Sequence, residues 1–275
     1  PVSTTFVTGA TGVVGSEIVR QLVQRGSDRL VLLVRAASMP DARVRLDSLR
    51  EDWGLPRAAL DGRVEAIAGD TSRPSFGVDP VRLAAIAADV TRIVHCAALV
   101  RMNLPLEEAR ASALGAARNV VDLARAAQGA GTLAKVEFVS TVGVGGLLPG
   151  LLPERFIAES RGFHNTYEQA KAEAEVLVER AIGDGLPITV HRPSMVVGHS
   201  RTGEVRQFQI FYHLADFLSG RRTRGLFPSL GDTRLDVVPV DYVANAIVWS
   251  STTKDTAGRV LHLCTGPEAS PRLDA

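Results

Sequence analysis

Thr4-Thr5-Phe6-Val7-Thr8-Gly9-Ala10-Thr11-Gly12-Val13-Val14-Gly15 decides how this chain is read. A β-branched, apolar run passes directly into three glycines spaced G-x-x-G-x-x-G. An amphipathic stretch, Ser16 to Gln24, follows. Strand, glycine turn and helix in that order form the context in which such a pattern signals a dinucleotide site. Gly9 allows the tight turn. Gly12 lets the backbone approach a pyrophosphate at the positive end of the helix, with Thr11, Val13 and Val14 around it. Gly15 lets helix and strand pack closely. The same glycines could also make a turn that holds no ligand.

Downstream, Arg29 to Arg35, Arg63 to Asp70, Thr91 to Ala98, Ala134 to Thr141 and Pro187 to Pro193 are short apolar runs that read as strands. Helical stretches separate them: Ala42 to Trp53, Val81 to Ala88, Leu104 to Gln128 and Asn165 to Ile182. Alternation of this kind predicts an α/β fold, a Rossmann-type doubly wound parallel sheet with right-handed crossovers. From Ser194 the alternation breaks down. An amphipathic helix within Gly203 to Gly220, a strand at Leu235 to Val240, a helix at Asp241 to Ser250 and a final strand at Arg259 to Cys264 remain. The expected division is a nucleotide-binding domain over 1–193. Residues 194–275 are then mostly a small substrate-binding cap, with elements returning to the sheet.

Arg35 ends the second strand, 20 residues after Gly15. An acid near this point in such folds accepts the ribose hydroxyls of NAD, whereas an Arg accommodates the 2′-phosphate of NADP. Arg suits a phosphate through its forked donors, and Arg43 and Arg45 follow closely. The cofactor expected is therefore NADPH. Arg35 could equally be a solvated strand-end charge. Asp70, followed by Thr71, is placed to reach an adenine. Ala97 and Ala98 leave room for the backbone to approach the cofactor. His95 fits a packed core histidine better than a catalyst.

Tyr167-Glu168-Gln169-Ala170-Lys171 is Y-x-x-x-K on a helix, where residues four apart share a face. An ammonium beside a phenol favours the phenolate, so Tyr167 is expected to have a lowered pKa and to serve as a general acid/base. Lys171 could also hold a ribose. Only three lysines occur, Lys135, Lys171 and Lys254, which makes a chance match rare. Thr141, at a strand end 26 residues earlier, could hydrogen-bond the same substrate oxygen.

These segments, in this order, resemble the extended short-chain dehydrogenase/reductase superfamily. The chain looks most like the thioester reductase domains that close polyketide and nonribosomal peptide assembly lines, and like fatty acyl-CoA reductases. The closer likeness rests on Leu33-Val34-Arg35-Ala36, Gly69-Asp70-Thr71, Arg192 to Gly198 and Val238 to Ala244. The resemblance implies NADPH-dependent reduction of an acyl thioester on the phosphopantetheine arm of a carrier protein or coenzyme A. The product would be an aldehyde or, after a second hydride, an alcohol. It places Thr141, Tyr167 and Lys171 at the chemistry and Pro193 beside the nicotinamide. Many relatives carry an Asn where Ser112 stands, so a proton relay built on that Asn is altered here. Rival readings are a nucleotide-sugar epimerase or dehydratase, a hydroxysteroid-type dehydrogenase, and a non-catalytic NADP-binding module.

Composition bounds the rest. The 275 residues are 45% hydrophobic and 22% charged, with a net charge of +1, ordinary for one soluble α/β domain and without a nucleic-acid footprint. No apolar run reaches membrane-spanning length. Pro1 opens the chain, as in an excised piece of a longer polypeptide, and no signal-peptide pattern follows it. Cys96 and Cys264 read as buried free thiols in a reducing compartment, so a cytoplasmic location is expected. No Cys/His spacing suggests a metal site. A monomer is expected. Arg221, Arg222 and Arg224 could dock an acidic carrier protein or its phosphate, or form a solvated loop.

Overall fold

The computed structural model describes residues 3–26, 28–208, 210–220 and 233–272. Arg221, Arg222 and Arg224 lie outside these described residues. In chain order the strands are β1 (Thr4–Thr8), β2 (Arg29–Val34), β3 (Val64–Ala68), β4 (Arg92–His95), β5 (Lys135–Val139), β6 (Ile188–Pro193), β7 (Met195–Val197), β8 (Val237–Pro239) and β9 (Val260–Leu263). The helices are α1 (Val13–Arg25), α2 (Met39–Asp52), α3 (Pro80–Asp89), α4 (Leu106–Gly129), α5 (Thr166–Gly183), α6 (Ile210–Leu218), α7 (Val240–Ser250) and α8 (Gly266–Ala269).

Seven strands form one parallel sheet in the order β3-β2-β1-β4-β5-β6-β9. Successive side chains of a strand face opposite ways, and the core divides accordingly. Phe6, Val31, Ile93, Val136 and Phe138 pack against α3, α4 and α5. Val7, Leu30, Leu32 and Val94 pack against α1, α2 and α7. The strand order reverses direction between β1 and β4. Ligands of open α/β sheets bind outside the strand carboxyl ends at such a point.

Strands β2, β3 and β5 are shorter than the runs read from the sequence, because pairing with the neighbouring strand stops before the polar residues at their carboxyl ends. Arg35, Asp70 and Thr141 thus lie just past their strands. Helix α2 starts three residues earlier than expected. Ser38 caps it by accepting from the Asp41 N–H at 3.3 Å, and Pro40 fits the first turn. Asn165 caps α5 in the same way, accepting from Glu168 N–H at 2.9 Å, so the first turn of α5 carrying Tyr167 is fixed at its origin.

After β6 the chain makes a second, two-stranded parallel sheet, β7 with β8. It then returns: Val243, Ala244 and Ile247 of α7 join the core beside α1, and β9 pairs with β6. The helix expected within 203–220 is confined to α6, and none of its side chains is buried. Cys96 and Cys264 are free but only partly buried, not fully buried as expected, since both stand at strand carboxyl ends.

Candidate active site

At Gly9 and Gly15 the glycine loop has room for no other residue. Gly9 has φ 73°, and a Cβ there would lie 2.6 Å from Ala97 N. A Cβ on Gly15 would lie 2.2 Å from the Gly9 carbonyl oxygen. Gly12 N–H donates to that same oxygen at 2.9 Å. Gly12 is also the N-cap of α1, without a side-chain cap and with no acid in the first turn. The first amides of α1 are therefore left for an anion, at the end where the helix dipole favours one.

The loop opens onto a cavity of about 820 Å³. Gly12 to Gly15, Ala98, Thr141, Tyr167, Lys171 and Pro193 all line it. So does Ser140, whose hydroxyl is buried with no hydrogen-bond partner among the described residues. An orphaned hydroxyl and a row of uncapped amides in one cavity fit a polar, anionic dinucleotide. A small adjoining cavity of about 20 Å³ brings Thr71, His95, Ala97 and Ser112 to Tyr167 and Lys171. It is large enough for a single water.

Other predicted residues lie apart from these cavities. Arg35, more than half exposed, pairs with Asp70 at 3.4 Å at the open edge of the sheet. Burial alone would raise the Asp70 carboxyl. The Ser72 hydroxyl (2.7 Å) and N–H (2.9 Å), with Arg35, hold it below the usual range. Arg43 and Arg45 are exposed on α2, and Thr11 is exposed at the loop tip.

Lys171 is 4% exposed. Its ammonium donates to the Val139 carbonyl at 2.8 Å and stands 5.1 Å from the centre of the Phe138 ring. Burial lowers its pKa to about 8, against the opposing charge of Glu175. Burial pushes the Tyr167 phenol up to about 12, and Glu168 adds to the rise. The expected lowering of Tyr167 by Lys171 is thus not found. Desolvation of the phenol outweighs an ammonium whose hydrogen bond is directed at Val139. The Thr141 oxygen accepts from Gly143 N–H at 3.1 Å, which leaves its own proton free to donate. His95 is packed, its Nδ1 2.7 Å from the Thr8 hydroxyl and its ring 4.9 Å from that of Phe138. Burial, and then Lys171, hold it neutral with a pKa of about 3.

Three residues not singled out in the sequence support this geometry. Asn119 of α4 donates to Thr71 O (2.8 Å) and Arg73 O (2.7 Å) and accepts from Ser75 N–H (3.0 Å), which fixes the loop after β3. Arg192 and Glu175 form a buried ion pair behind Lys171. Glu175 extends the stripe of Tyr167 and Lys171 by one helical turn, a spacing that could have exposed it. No such signal exists for Asn119.

A glycine-cradled helix start at a sheet's switch point, opening onto a Tyr and a Lys from one helix face, defines a nucleotide-binding oxidoreductase of the extended short-chain dehydrogenase/reductase type. The chain belongs to the family described as male sterility protein, whose model matches residues 7–247. It is similar to the glycine betaine reductase ATRR of Emericella nidulans, with 32% identity over 275 residues covering 94% of this chain. It spans only about a fifth (21%) of that relative's length. Among solved structures, the terminal R domain of the myxalamid PKS-NRPS pathway superposes with TM-score 0.84 at 32% identity, covering 99% of this chain and 67% of that one. The reductase (R) domain of a nonribosomal peptide synthetase from Mycobacterium tuberculosis gives TM-score 0.76 at 25% identity, covering 98% and 68%. The fold is therefore that of an NAD(P)-binding reductase domain. Among the described residues no helix is long and apolar enough to cross a membrane.

Proposed function

We propose that the chain reduces an acyl thioester, held on the phosphopantetheine arm of a carrier protein or coenzyme A, at the expense of NADPH. The observation that carries this reading is the single cavity joining the glycine loop to Tyr167, Lys171, Thr141 and Pro193. NADPH over NADH rests on Arg35 and on the absence of an acid at the end of β2. The relatives' printed names, a glycine betaine reductase and two R domains, support a reductase working beside an assembly line.

NADPH bound on the loop would supply the hydride. The amides at the start of α1 would hold its pyrophosphate, Arg35 its 2′-phosphate and Lys171 its nicotinamide ribose, and Pro193 would lie beside the nicotinamide. Thr141 donates its free hydroxyl proton to the thioester carbonyl oxygen. Tyr167, protonated at neutral pH because its pKa is near 12, hands that oxygen a proton as the carbon is reduced. The Lys171 ammonium offsets the charge left on the phenol. The hemithioacetal so formed collapses to free thiol and aldehyde. Met195, Phe208, Ile210 and His213 would supply part of the substrate wall.

The test is turnover of NADPH with a panel of acyl thioesters by the purified protein. Loss of NADPH absorbance with equivalent release of thiol is expected. Failure to release thiol from any member, together with turnover of a sugar nucleotide, would sink the reading.

A further inference from the structure

Arg192, at the end of β6, is the largest fully buried side chain among the described residues. Its Nε donates to Glu175 Oε1 at 3.0 Å and its Nη2 to Glu175 Oε2 at 2.6 Å. Its Nη1 donates to the carbonyls of Pro153 (3.3 Å) and Arg155 (3.1 Å), and the His262 Nε2 lies 3.4 Å away. One guanidinium thus ties α5, the loop after β5 and the β6 end to a single point. Glu154 adds to the tie by accepting from the His262 N–H at 2.6 Å.

A buried ion pair is poor evidence for stability, because apolar replacements of equal volume often serve as well. A two-pronged fork does something else: it fixes orientation. Glu175 lies one turn from Lys171 and two from Tyr167 on the same helix. Rotating α5 about its axis would swing all three together.

We propose that Glu175 and Arg192 are positioning residues for the reaction: their fork sets the rotation of α5 that presents Tyr167 and Lys171 to the cavity, and the Glu175 carboxylate balances the buried Lys171 ammonium. The proposal rests on the catalytic roles given to Tyr167 and Lys171 above. The groups facing Lys171 are few. Tyr167 and Glu175 stand on its own helix, neutral His95 and the un-ionised Cys96 thiol at the end of β4, and the Phe138 ring and Val139 carbonyl on β5. Arg192 of β6 pairs with Glu175, and Arg161 of the loop after β5 acts on the same carboxylate. Glu175 is thus the carboxylate that acts on Lys171.

The pair makes an asymmetric prediction. Glu175→Gln removes the charge that supports the ammonium, so Lys171 should titrate about one pH unit lower. Arg192→Met removes the cation that competes for Glu175 and leaves it to Arg161 and Lys171, so Lys171 should titrate higher. General loosening of the helix would move both variants the same way. With three lysines in the chain, the Lys171 side chain can be followed directly by carbon-13 NMR of labelled protein, its signal assigned by its loss in Lys171→Arg. The alkaline limb of kcat/KM should move with the NMR midpoint, and kcat should fall about ten- to a hundredfold in both variants. A double Glu175→Leu/Arg192→Met variant should regain thermal stability without regaining kcat. Unmoved Lys171 midpoints, midpoints that move together, or a double variant with full activity would each overturn the proposal. An inactive wild type would instead count against the thioester reading, and the NMR titration would still decide the pair.

Discussion

At the scale of single residues, burial moves Tyr167 and Lys171 in opposite directions. The phenol, at about 12, stays protonated and able to donate. The lysine, at about 8, carries its charge below that pH and loses it above. If the charged lysine is the working form, kcat/KM is flat on the neutral side and falls as pH rises through about 8. A pH–rate profile in non-interacting buffers checks this, and an alkaline limb near 12 instead would assign the loss to Tyr167. Replacing Tyr167 by Phe should lower kcat by about a hundredfold or more while leaving NADPH binding, measured by fluorescence titration, nearly intact.

The elements decide what the residues can reach. The turn between β1 and α1 has no spare volume, since a Cβ on Gly15 overlaps the Gly9 carbonyl oxygen. Gly15→Ala should therefore abolish NADPH binding measured by calorimetry, with circular dichroism reporting whether the fold survives. Just past β2, Arg35 pairs with Asp70. Arg35→Ala should weaken NADPH by about tenfold or more and NADH little, because only the 2′-phosphate uses the forked donors. Equal losses for both would remove Arg35 from phosphate recognition.

Across the whole molecule, the cavity lining is chemically mixed. The glycine-loop residues, Ser140, Thr141 and Lys171 line it. Leu99, Val100, Met102, Met195, Phe208 and Ile210 give it an apolar wall, interrupted by Arg101, Asn103 and His213. Val100 is 50% exposed and Phe208 69%, and a saturated acyl chain would cover such surface. Burial of each added methylene is worth about 0.8 kcal/mol, so kcat/KM should rise about fourfold per carbon until the wall is spanned. A series of acyl pantetheine thioesters measures this; a flat series would mean that the chain lies elsewhere.

The sequence by itself determined which segments form the strands of the main sheet and the helices α1 to α7, and the places of the glycine loop, Thr141, Tyr167 and Lys171. Those features are local: periodicity, turn chemistry and a four-residue helical spacing need no knowledge of distant neighbours. Only the tertiary structure decided the ionisation of Tyr167 and Lys171, because desolvation depends on what packs over them. It alone joined Arg192 to Glu175, 17 positions apart, and Asn119 to the loop after β3, 48 positions from Thr71. Contacts of that kind arise when separate elements meet across a core, and no short-range pattern in the chain encodes them.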